Sequence, residues 1–159
     1  MRLIYSHPCL LLLPLALMLC LSCGARGCGD EEEVKVTVVS ILASEKNDKI
    51  DKKLTELAKA IQKTRPNLTG FKIDKQCRES LIVGKAHDFE FVDKQKVVVT
   101  VRQAADANDQ VKLKVKFQCG SEMCYQTCCG KFFPISTCYK TKNGDCLLIA
   151  VMVQPCKGK

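Results

Sequence analysis

The sequence predicts an α+β fold in which one amphipathic helix packs on a mostly antiparallel sheet. Three observations predict it: a single stripe of helical period, a series of stretches with a period of two, and a wholly apolar run near the end of the chain. Val34, Val36 and Val38 alternate with Lys35 and Thr37 before the pattern turns fully apolar towards Ile41, as in a strand that becomes buried. Ile50, Leu54, Leu57, Ala58 and Ile61 follow at helical spacing, with Lys52, Glu56, Lys59 and Lys63 opposite, which predicts a helix of about four turns. Asn47, Asp48 and Asp51 offer capping oxygens at its start, and Pro66 lies where it must have stopped.

Beyond the helix the period is two. Phe71 and Ile73, Leu81 and Val83, Phe89 and Phe91, and Val97, Val99 and Val101 mark successive strands. The polar run 104–110 (AADANDQ) predicts a turn into a strand with Val111, Leu113, Val115 and Phe117 on one face and Lys112, Lys114 and Lys116 on the other, hence a hairpin with one wet face. The run from Cys146 to Val153 (CLLIAVMV) suits a strand covered on both sides. The expected order is a β-α-β start followed by a β-meander.

Around this domain the chain carries the marks of export. Residues 1–23 have a short positive end at Met1 and Arg2, an apolar stretch from Pro8 to Leu21 and small residues at Ser22, Cys23, Gly24 and Ala25, which is the three-part pattern of a signal peptide. Two cleavage chemistries fit. Leu21, Ser22, Cys23 and Gly24 resemble a bacterial lipobox, with Cys23 acylated as a membrane anchor; Cys23 and Ala25 also suit an ordinary signal peptidase that releases a soluble protein. The apolar stretch is shorter than the roughly 20 residues a spanning helix needs, so an uncleaved anchor is the weaker alternative. Residues 24–33 (GARGCGDEEE) have neither period and read as a flexible acidic tether, which leaves residues 34–159 as one domain.

Removal of residues 1–23 takes only Arg2 from the charges, leaving 24 basic residues against 17 acidic ones. Such a balance favours anionic partners such as lipid head groups, an anionic polymer of the glycan kind or nucleic acid, and leaves an unknown protein as the other partner. Tryptophan is absent and aromatic residues make up only 6%, so a stacking surface for nucleic acid is not expected. The Lys112, Lys114 and Lys116 row is the candidate anion-binding stripe, with ammonium groups about 7 Å apart along one strand face. The same row also serves as a solvated face that discourages edge pairing.

Twelve cysteines are the largest departure from average usage. Past the tether stand Cys77, Cys119, Cys124, Cys128, Cys129, Cys138, Cys146 and Cys156, an even set that reads as a disulfide framework in an oxidising compartment, with connectivity open among 105 pairings. Cys28 is left over in the tether. A structural zinc site wants short C-x2-C pairs, which these spacings do not supply, and no metal or cofactor is implied. The adjacent Cys128 and Cys129 admit a thiol-redox role, although the C-x-x-C motif is missing. His87 is the one histidine outside the leader, placed by GKAHDFEF in a polar turn beside Asp88; a surface histidine is expected rather than a catalytic base. The G-x-S-x-G, H-E-x-x-H, G-x-x-x-x-G-K-[ST] and G-x-G-x-x-G patterns are all missing, so the reading is a non-enzymatic binding or structural module. A small secreted inhibitor is a further alternative. Asn67, Leu68 and Thr69 form a sequon, relevant only in a eukaryotic cell.

The segments VKVTVVSILAS, IDKKLTELAKAIQK, LTGFKI, TCCGKFFPI and LLIAVMVQPCKGK together resemble a group of exported proteins of unknown function from Planctomycetes-type bacteria. The resemblance implies a location in the bacterial cell envelope and carries over no functional residues.

Overall fold

The computed structural model describes residues 31–155; the leader and Cys23, most of the tether with Cys28, and Cys156 lie outside them. The alternating segments form β1 (Glu33–Ser44), β2 (Gly70–Ile82), β3 (Ala86–Glu90), β4 (Lys96–Gln103), β5 (Gln110–Phe117), β6 (Glu122–Cys128), β7 (Phe133–Lys140) and β8 (Cys146–Pro155), with one helix, α1 (Thr55–Gln62), between β1 and β2. The strands divide into two four-stranded sheets, ordered β2-β1-β8-β7 and β3-β4-β5-β6, and every strand pairing is antiparallel. The fold is therefore α+β with mostly antiparallel sheet and one short helix.

The inner faces of the two sheets share one core. Val34, Val36 and Val38 of β1 and Leu147, Ile149 and Val151 of β8 pack in it with Val97, Val99 and Val101 of β4 and Val111, Leu113 and Val115 of β5. On its other face the first sheet is covered by the helix, where Leu54, Ala58 and Ile61 bury against Val39, Ile41, Ala43, Leu148 and Ala150. These two covers explain why β1 and β8 read as nearly continuous apolar runs: both have an apolar layer on each side along most of their length. The sequence led us to expect one sheet. A second arose because four wet-faced strands cannot hide their apolar faces against a helix of two turns.

The helix is shorter than its stripe. A single 3-10 turn occupies Lys52–Leu54, and Ile50 instead forms an isolated bridge with Phe71. The expected caps are used elsewhere: Asp51 Oδ2 accepts from the Ile73 amide at 2.8 Å and Asn47 Oδ1 from the Lys49 amide at 3.1 Å, and no side chain caps the helix. Eight residues make a marginal helix in isolation, so α1 depends on the burial of Leu54, Ala58 and Ile61, worth about 1.5 to 3 kcal/mol for each fully covered Leu or Ile. Strand, helix and strand do follow in that order, but β1 and β2 are antiparallel neighbours.

One irregularity sets which face β2 presents. Ser40 is opposite Lys75 and Ile41 opposite Ile73, so Asp74 is an extra residue in the ladder. The side chains before this bulge, Phe71 and Ile73, pack with the helix, whereas Cys77 and Leu81 after it pack in the core between the sheets. The buried Ser40 hydroxyl holds the bulge, donating to Asp74 Oδ2 at 2.8 Å and accepting from the Lys75 amide at 3.1 Å.

Candidate functional site

The hairpin of β4 and β5 forms as the sequence predicts, and β6 adds to it on the far side of β5. Because Val111, Leu113 and Val115 face the core, Lys112, Lys114 and Lys116 must face outward. The register sets Lys112 beside Gln126, Lys114 beside Cys124 and Lys116 beside Glu122. Lys114 Nζ forms an ion pair with Glu122 Oε2 at 2.9 Å, while Lys112 and Lys116 stay exposed and have no ion pair among the described residues. The Glu122 carboxyl is held below its ordinary range by the hydrogen bond from Lys114 and then by the charge of that same ammonium. Lys96 lies on this face at one end of β4, and the acidic Asp88 and Glu90 flank it on β3. The face is thus basic along its middle strand and acidic on one border.

The cysteines separate into distinct environments. Cys119, in the turn after β5, is bridged to Cys138 of β7, with the two Cα atoms 6.8 Å apart, so the link ties one sheet to the other. Cys77, Cys124, Cys128, Cys129 and Cys146 are unbridged among the described residues. Cys146 is buried under the helix and Cys77 is half-buried at the edge of the first sheet. Cys124 and Cys128 are exposed on the same outward face as the lysine row. Cys129 turns the opposite way and packs against the core, and burial, followed by the charge of Asp109, pushes its thiol up. Neighbours on a strand point to opposite faces, which explains how Cys128 and Cys129 stand unbridged.

His87 lies on β3 and not in a turn. It faces the core side of the strand, half-buried, with its ring 4.8 Å from that of Phe89, whereas Asp88 points to the outer face. Strands β3 and β6 are the two edges of one sheet, roughly 14 Å apart at the usual strand spacing, so His87 and the cysteines of β6 are not brought together. Among the described residues no group of three or more His, Cys, Asp and Glu side chains is gathered, and no helix is long and apolar enough to cross a membrane.

Sequence reasoning missed two features. The sequence reading assigns no strand between Phe117 and Cys146 and does not connect the lysine row with the thiols of β6; the alternation of Met123 and Tyr125 with Cys124 and Gln126 is the available signal. It also missed a cleft of about 510 Å³ beside the β7–β8 turn, where Leu42 and Phe71 line the wall together with Asn47, Asp51, Asn143 and Asp145. Gly70 keeps this cleft's wall in place, since a Cβ there would lie 2.3 Å from Asn47 Oδ1 and 2.9 Å from the Asn47 carbonyl oxygen.

Fold and site together define a small two-sheet domain with one helix and an open, lysine-bearing face. Comparison with known protein families, with curated proteins and with solved structures finds no match to this chain.

Proposed function

We propose that this chain is an exported binding module of the bacterial cell envelope, not an enzyme, and that it holds an anionic polymer on the outward face of β5. The leader supports export, either as a lipoprotein anchored through Cys23 or as a secreted protein released by ordinary cleavage. The observation that carries the binding role is the placement of Lys112 and Lys116, exposed on an open sheet face, with Lys114 between them. Flat faces of this kind follow an extended polyanion through evenly spaced charges, at about 7 Å per step along the strand. No pocket is required.

The test is retention on a sulfated polysaccharide matrix in a salt gradient. Each ammonium near an anionic surface contributes about 1 kcal/mol at moderate salt. Lys112→Gln with Lys116→Gln should therefore weaken binding roughly 10- to 30-fold and elute earlier. Unchanged retention in that double variant would remove the face from the proposal. An intact-mass spectrum of the mature protein reads the other half: the cleavage position and any acyl chains on Cys23.

A further inference from the structure

Strand β6 ends the second sheet, paired with β5 on one side only. Its backbone groups divide by residue number. The Phe117 amide donates to the Ser121 carbonyl at 2.8 Å, and the Cys129 amide donates to the Asp109 carbonyl at 2.8 Å. These bonds bracket the ladder and assign to β5 the amides and carbonyls of Met123, Tyr125 and Thr127. Those of Glu122, Cys124, Gln126 and Cys128 consequently point off the edge, where no strand takes them among the described residues. The side chains of these same four residues are exposed on the outward face.

Cys124 and Cys128 stand two residues to either side of Gln126. When a strand pairs antiparallel with a second copy of itself about a two-fold axis at residue n, position n−2 of each copy meets n+2 of the other. An axis at Gln126 therefore sets Cys124 of each copy opposite Cys128 of the other. Cα atoms in such a hydrogen-bonded pair are about 5.5 Å apart, inside the roughly 4.4 to 6.8 Å that a disulfide spans. Within one copy the two cysteines are about 13 Å apart along the strand and cannot bridge each other.

We propose that two copies of this protein pair edge to edge through β6 and are locked by two reciprocal disulfides, each joining Cys124 of one copy to Cys128 of the other. A second copy supplies both thiols in this reciprocal order from its own β6, which is why the partner is a second copy. Each link forms by exchange with a small disulfide oxidant such as oxidised glutathione. The Cys124 thiolate attacks one sulfur of the oxidant and expels a thiol. The facing Cys128 thiolate then attacks the mixed disulfide at the Cys124 sulfur and expels the second thiol. Two protein thiols and one small disulfide become one protein disulfide and two small thiols. The axis is perpendicular to the sheet, so both Lys112, Lys114 and Lys116 rows share one face, three strand spacings or roughly 14 Å apart. That doubled basic face rests on the polyanion reading; the pairing itself does not.

The experiment is complementation between single variants of the full chain in a glutathione redox buffer, read on non-reducing gels. Wild type should run as a covalent dimer. Cys124→Ser alone and Cys128→Ser alone should run as monomers, because each surviving thiol then faces a serine. Their mixture should give a covalent heterodimer through one Cys124 to Cys128 link. Gln126→Pro removes an amide that β5 does not use, and it should block the dimer while both thiols remain open to alkylation. A single variant that still cross-links with itself, a mixture that does not, or mapping of Cys124 or Cys128 to Cys23, Cys28 or Cys156 of the same copy overturns the proposal. Loss of polyanion retention with the dimer intact overturns only the reading of the basic face.

Discussion

Cys119 and Cys138 form a disulfide that joins the turn after β5 to β7, and so fastens the edge of one sheet to the edge of the other. On the same side of the sandwich the rings of Tyr125 and Phe133 stack at 4.3 Å. With a sequence separation of 19, the closed loop removes about 3 kcal/mol of freedom from the unfolded chain. Cys119→Ser with Cys138→Ser is expected to lower the melting temperature by on the order of 10 °C for a domain of this size. Calorimetry of the double variant against wild type checks it, and an unchanged melting temperature would contradict it.

Ser40 is expected to be worth more than a small buried residue normally is. Its hydroxyl satisfies both Asp74 and the Lys75 amide at the bulge that turns β2 from the helix layer to the inter-sheet core. Ser40→Ala leaves both without that partner and should cost about 1 to 3 kcal/mol, seen as a lower denaturant midpoint with unchanged slope. Asp74→Ala should cost less, since it takes away only the acceptor of the Ser40 hydroxyl and leaves the Lys75 amide its partner.

The outer basic face contains its own restraint. Lys114 is committed to Glu122, whose carboxyl is held low by that hydrogen bond and charge, so the pair persists as the pH falls through the usual carboxylate range near about 4.3. Its small contribution to stability is present above the unfolded-state value and is lost as pH drops through the lower folded-state value. Glu122→Gln should free Lys114 and delay elution from a sulfated matrix at neutral pH. Lys114→Gln should change retention less than Lys112→Gln or Lys116→Gln does.

Much of the strand pattern was legible because burial writes itself into a two-residue period. Val97 to Val101 and Val111 to Phe117 read as a hairpin, and the uninterrupted run at Cys146 read correctly as a strand covered on both faces. The second sheet was not legible, since a period of two reports that one face is covered without saying by what. Strands β6 and β7 were hidden for a related reason: at a sheet edge Cys124, Gln126 and Cys128 carry no apolar signal, and their cysteines drew the reading towards cross-links. The helix was overextended because Ile50 happens to fall on its stripe, while the Asp51 and Ile73 contact holds the chain before it, and α1 begins only at Thr55. The lysine row was visible from spacing alone, but its company was not. That Cys124 lies beside Lys114, and that Glu122 holds it, depends on a register fixed by a four-residue turn.

Among the described residues, Tyr125 is the one buried side chain with a nitrogen or oxygen atom that has no partner. Its hydroxyl is buried and makes no hydrogen bond among the described residues, and burial alone pushes its ionisation far above the ordinary tyrosine range. A raised value means that the folded state keeps the proton more tightly than the unfolded chain does. Stability from this group is thus complete below the unfolded-state value near about 10 and declines as the pH rises above it. Tyr125→Phe keeps the ring on Phe133 and removes the orphaned hydroxyl, so it should stabilise the domain by about 1 kcal/mol at neutral pH. The gain should widen above pH of about 10, where wild type must either unfold or bury a phenolate. Denaturant midpoints for both proteins at neutral and alkaline pH test this, and a variant that is less stable at both would show that the hydroxyl has a partner after all.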